Sequence, residues 1–262
     1  MRYRRMHRIG LVFLCAAAFV LASCTTVSLE QRKRQSESLR DLGEAYLVEG
    51  KTTMALMELI KAEKLYDKDP LLQNDLGLTY MDKDRLDLAI THFKKAVELK
   101  QDWPNALNNL STAYLKIGQW DLAIAHLERL SQDLLYATPH YAFLNLGWAY
   151  YNKADYGKAE KYYRDTLQHY EDGFPKDGTY LKALVGLGRT FMETGKIQLS
   201  VTYLERAIRF APNLAEIHMI LAQAHTRAGD NAKARLSYKM VLALVPETQL
   251  AEKARLAMEK LK

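Results

Sequence analysis

Cysteine is nearly missing from this chain: 262 residues contain two, Cys15 and Cys24, both inside the first 24 positions. Neither a disulfide framework nor a spaced thiolate set for zinc can be built from them. Missing too are an HExxH helix, a nucleophile motif, and alternating runs of the kind that half-buried strands need. A catalytic or metal site therefore has no sequence support, and the chain reads as a non-enzyme with no cofactor. The longest apolar run, Ile9–Leu21, has 13 residues, short of the roughly 20 that a membrane-spanning helix requires. The formal net charge is +6, but Arg2, Arg4, Arg5 and Arg8 carry most of the excess, and without residues 1–23 it falls to +2. No Lys/Arg stripe remains for nucleic acid.

What is present is a unit of 34 residues. In its clearest copy, Pro70–Trp103, small residues at Gly77, Ala89 and Ala96 lie among large ones at Leu76, Tyr80 and Phe93, in two stretches of helical period joined by a polar turn. Counted from Pro70, the eighth position recurs as Gly43, Gly77, Ser111, Gly147, Gly188 and Ala222, at intervals of 34, 34, 36, 41 and 34 residues. The eleventh recurs as Tyr46, Tyr80, Tyr114, Tyr150, Phe191 and His225, and the twentieth as Ala55, Ala89, Ala123, Ala159, Ser200 and Ala234. This spacing resembles the tetratricopeptide repeat. The resemblance implies an all-α fold, a right-handed superhelical solenoid of six helix pairs over 36–246, with a capping helix over 247–262. Repeats are expected to open near Ser36, Pro70, Pro104, His140, Leu181 and Ala215, with a longer loop at 171–178, where Gly173, Pro175 and Gly178 interrupt helix.

The N-terminus reads as a targeting segment. A basic stretch, the apolar run and Leu21-Ala22-Ser23-Cys24 follow one another in the order of a lipoprotein signal, and the last four residues resemble a bacterial lipobox. That resemblance implies a signal peptide over 1–23, cleavage before Cys24, and several acyl chains on Cys24, enough for stable anchoring because each buried CH₂ adds about 0.8 kcal/mol. Thr25, rather than Asp, follows the cysteine, and in the lipoprotein families this segment resembles that implies the outer membrane, with the protein facing the periplasm. Residues 24–35, with the Arg32-Lys33-Arg34 run, read as a flexible tether.

The repeat register projects a set of residues from the first helices toward a concave groove. They include Asn74, Leu78, Met81, Asn108, Thr112, Leu115, Leu144, Trp148, Tyr151 and Arg189. A centre this apolar is expected to receive a protein partner, a peptide or a helix, unless the superhelix or capping helix closes over it. His218 and His225, seven residues or about 10.5 Å apart on one helix, cannot share a metal ion and read as core. Gly186-Leu187-Gly188 lacks the third glycine and the preceding strand of a nucleotide loop, so helix packing is its reading.

A narrower likeness follows from Asn108-Asn109, from Ser131-Gln132-Asp133-Leu134-Leu135-Tyr136 closing the third repeat, and from Asn145-Leu146-Gly147 after it. Together with six repeats behind a lipobox, these are similar to the pilotin lipoproteins of type IV pilus biogenesis. That likeness implies a protein that binds a subunit of the outer-membrane secretin and promotes its localisation and assembly. A lipoprotein adaptor that scaffolds peptidoglycan hydrolases or a periplasmic peptidase is the alternative the same fold would serve.

Overall fold

The computed structural model describes residues 28–133, 137–171, 173 and 175–261. The signal segment, Cys24, Leu134–Tyr136, Asp172 and Phe174 lie outside the described residues. Within the described ones there are thirteen α-helices and no strand. They fall into two compact units, with the chain divided between Lys100 and Gln101.

The first unit holds α1 (Leu29–Val48), α2 (Thr52–Leu65), α3 (Pro70–Asp82) and α4 (Leu86–Leu99). Its two hairpins pack α1 on α2 and α3 on α4. Packing follows the repeat register: a Cβ built on Gly43 would stand 2.7 Å from Leu59 Cδ2, and one on Gly77 2.5 Å from Phe93 Cδ1. The small eighth residue is thus the socket for a large residue on the second helix, and Ala55 and Ala89 beside it are fully buried. Between the hairpins, the Gln73 side chain donates to Glu63 Oε1 (3.1 Å) and to the Asp67 carbonyl (3.0 Å) and contacts His92 Nδ1 at 2.7 Å, so a fully buried amide is satisfied.

The helix α1 begins inside the segment read as a tether. Ser28 accepts a hydrogen bond from the Gln31 amide (3.1 Å), Glu30 sits in the first turn, and Leu29–Gln35 are good helix formers. Low apolar content excluded burial, not helix. The first buried residue of α1 is Ser36, whose hydroxyl donates to the Ala62 carbonyl at 2.9 Å.

The second unit holds α5 (Pro104–Lys116), α6 (Trp120–Ser131), α7 (Pro139–Asn152), α8 (Tyr156–Glu171), α9 (Gly178–Glu193), α10 (Ile197–Phe210), α11 (Ala215–Arg227), α12 (Asn231–Leu244) and α13 (Gln249–Glu259). The same socket recurs at Gly147 against Tyr163 (2.6 Å) and at Gly188 against Leu204 (2.6 Å). Where the twentieth residue is Ser200, its buried hydroxyl donates to the Gly188 carbonyl across the pair at 2.7 Å. His218 and His225 are buried, and His218 Nε2 lies 2.8 Å from the Pro212 carbonyl oxygen. α13 lays Ala254 into a cluster with Ala222, Ala234 and Tyr238.

The turn within each pair is constant across both units. Its fifteenth position has positive φ in every repeat: Gly50, Gly118, Gly195 and Gly229 near 72–75°, and Asp84 and Ala154 at 57° and 58°. The amide after it reaches back five residues, as Lys51 to the Tyr46 carbonyl (2.8 Å) and Asp155 to that of Tyr150 (2.9 Å), which closes the helix end. Ala154 takes this conformation against its Cβ, a cost on the order of 1 kcal/mol. Ala154→Gly is therefore expected to raise stability by up to about 1 kcal/mol, less glycine's extra unfolded-state entropy, and chemical denaturation of the two proteins measures it.

Candidate functional site

In the first unit, Leu78 and Met81 stand half-buried on α3, but Asn74 is only 7% exposed. Beside Asn74, burial and then the charge of Glu44 push the Asp75 carboxyl up to about 7, against the pull of the Asn74 amide 3.5 Å away. Asn74 therefore packs in the fold, and the register's assignment of it to an open wall is corrected.

In the second unit, the expected wall residues divide by depth. Leu115 is 1% exposed, part of a buried run from Ala113 to Leu115, because α5 is enclosed over more than one stripe of its surface. It belongs to the core, not the groove. Asn108 and Thr112 are half-buried and engaged with the next first helix: Asn145 Nδ2 donates to Asn108 Oδ1 (3.2 Å) and to Thr112 Oγ1 (3.1 Å). These polar groups join α5 to α7.

Leu144, Trp148 and Tyr151 follow one another along α7, at one helical face. Leu144 and Tyr151 are half-buried and Trp148 is 36% exposed. Each aromatic is held edge-on by another: Trp148 by Trp120, with centroids 6.2 Å apart and planes at 70°, and Tyr151 by Tyr156, at 5.7 Å and 61°. Rings fixed this way leave a face available with little freedom left to lose, a favourable condition for contact with a partner. On α9, Arg189 is exposed.

Of two residues that sequence reasoning missed, Trp120 borders this surface and Tyr163 supports it from beneath, 4% exposed. Trp120, the first residue of α6, was outside the set because only first helices were considered. Tyr163, on α8, was not singled out. Its ring passes Gly147 of α7 and ends against Gly186 of α9, where a built Cβ would lie 2.4 Å from the ring Cζ. The paired glycines at 186 and 188 are sockets for Tyr163 and Leu204. Burial first, then Glu193, holds the Tyr151 phenol above its ordinary range, and burial and then Tyr151 do so for Tyr163; in both, the charge of Arg189 pulls the other way.

A further polar cluster sits where α7 begins and α8 ends. His140 and His169 stack at 4.0 Å, and Tyr170 donates from its hydroxyl to Asp177 Oδ1 (2.6 Å). Asp177 also accepts from the amides of Thr179 and Tyr180, which ties the inserted loop to the start of α9. Burial, and then His169, push His140 down to about 4, so this imidazole is neutral at ordinary pH. Among the described residues no group of three His, Cys, Asp or Glu side chains is placed to hold a metal ion.

The tetratricopeptide-repeat family matches the sequence over 70–134 in one description, and over 108–178 and 185–247 in another. Solved structures share the arrangement at low identity. A structure of PilW, described as a widely conserved type IV pilus biogenesis factor, superposes with a TM-score of 0.76 at 20% identity, covering 84% of this chain and 98% of PilW. That of Pseudomonas aeruginosa pilF gives 0.69 at 17% identity, covering 86% and 99%. The Protein CTR9 homolog of Arabidopsis thaliana is 27% identical over 113 residues, which make up 41% of this chain and 10% of that protein. The chain thus spans a tenth of that curated relative's length.

Proposed function

The chain belongs to the tetratricopeptide-repeat family, and from that premise we propose that it is a lipid-anchored outer-membrane protein that captures a secretin subunit and promotes its assembly for type IV pilus biogenesis. One combination carries this reading: a lipobox ending at Cys24, followed by repeats that superpose on nearly the whole of two pilus-related proteins. The aromatic surface of α7 supports the protein-binding half of it, since Trp148 is exposed, Tyr151 is half-buried, each is held by a neighbouring ring, and tryptophan and tyrosine are among the residue types most often found as binding hot spots.

Such a protein needs two parts: a surface that binds and an anchor that delivers. They are separable by mutation. Cys24→Ala is expected to leave the helical fold intact, by circular dichroism, while moving the protein out of the outer-membrane fraction and reducing heat-resistant secretin multimers in favour of monomers. A mutant that still fractionates with outer membranes would sink the anchor. Deletion of the whole gene with secretin assembling normally and cell-wall hydrolysis disturbed would favour the adaptor alternative.

A further inference from the structure

We infer that the surface shared by α7 and α9 selects partner segments carrying an acidic side chain about three residues from an apolar anchor, with Arg189 taking the carboxylate and Trp148 the anchor. This rests on the protein-binding reading above and adds the chemistry of the occupant.

Charge is the first reason. α7 contains no charged residue, and on α9 the exposed Lys182 and Arg189 make no ion pair among the described residues. Glu193, one turn after Arg189 and the natural partner for it, is instead 3.4 Å from Arg227 Nη2, whose Nη1 is fixed on the Met192 carbonyl at 2.9 Å. Arg189 thus keeps its donors for something else. A guanidinium matches a carboxylate in plane and spacing, and a hydrogen bond between charged groups is about twice as strong as a neutral one.

Position is the second reason. Trp148 and Arg189 occupy the same place, the ninth, in successive repeats, and α7 packs beside α9. Neighbouring helix axes lie about 8–10 Å apart, and a segment in the polyproline II conformation advances about 3.1 Å per residue and returns to the same face every third residue, about 9 Å further on. A segment crossing the two helices therefore presents residues about three apart to Trp148 and to Arg189. By contrast, the polar groups on the α5 side, Asn108 and Thr112, are already joined to Asn145. The unspent hydrogen-bonding capacity sits on α9.

The test is selection of random twelve-residue peptides displayed on phage, against the full-length protein in detergent. One library is fused at the peptide C-terminus, so that only side chains supply carboxylates; a second leaves the C-terminus free. The expected result is enrichment, in the first library, of Asp or Glu about three residues from Trp, Phe or Leu. Selected peptides should bind Arg189→Ala roughly tenfold to a hundredfold more weakly and Arg189→Lys with an intermediate loss. Enrichment confined to the free-terminus library would overturn the side-chain assignment in favour of a terminal carboxylate. Peptides that lose binding to Trp148→Ala but show no acidic preference, or bind Arg189→Ala undiminished, overturn the inference and leave the groove reading standing. Selected peptides indifferent to both Trp148→Ala and Arg189→Ala, or no selected peptides at all, overturn both.

Discussion

Gly186→Leu should lower the melting temperature by roughly 5–10 °C, the effect of about 2–3 kcal/mol of overpacking in a protein of this size. The Cβ alone would fall 2.4 Å from Tyr163 Cζ, and the ring cannot retreat, because its other end is already seated on Gly147, where a built Cβ comes within 2.6 Å of Cδ1. Tyr163 is 4% exposed, so swinging it out would give up its burial as well. Either α7 and α9 separate or the second unit loosens around them. The cause is testable by coupling: with Tyr163→Leu in the background, Gly186→Leu should cost markedly less than it does alone, since the two side chains compete for one space. Gly178→Ala, with nothing within 4 Å of its Cβ, serves as the neutral control. Equal losses with and without Tyr163 would show that the glycine serves some other need.

The second large effect concerns binding. Trp148→Ala combined with Tyr151→Ala should weaken partner capture by about thirtyfold or more, since truncating a central aromatic anchor commonly costs 2 kcal/mol or more. The cost in stability should be only about 1–2 kcal/mol: each ring gives up an edge-on contact, with Trp120 or Tyr156, while the helix beneath stays packed through Ala142, Leu146 and Ala149. Circular dichroism and thermal melting come first. A cooperative fold with secretin monomers in place of multimers in the cell would support capture at this surface. Undiminished secretin assembly by a folded double mutant would place capture elsewhere on the chain.

How much of this could be read without coordinates depends on the kind of contact. The repeat phase was legible because its small eighth residue physically meets a large residue of the second helix: Gly77 must be small for Phe93, and Gly188 for Leu204, so periodicity records a contact. Depth was not legible in the same way. The register puts Asn74, Leu115 and Tyr151 on one face, but a face has no depth until its neighbours are placed, and Leu115 and Asn74 are covered while Tyr151 is half open. Tyr163 was hidden by its own regularity, since it holds the position that Phe93 holds, and nothing in the spacing says that its ring runs on to a second glycine in the next repeat. The start of α1 escaped for a different reason, as a cap and local helix preference set it while hydrophobic patterning is silent there.

The turns within the pairs are all three residues long, closed by the same backbone bonds, whereas the joints between pairs vary, from four residues at 66–69 to seven at 132–138. A length change inside a pair would rotate the second helix off the glycine socket it must fill. A change between pairs has no such constraint, and both departures from the 34-residue interval accumulate on that side. The hairpin is thus the indivisible block and the joint is the splice point. Whatever new segments this architecture acquires, it can take them at the joints, without renegotiating a single helix contact within a pair.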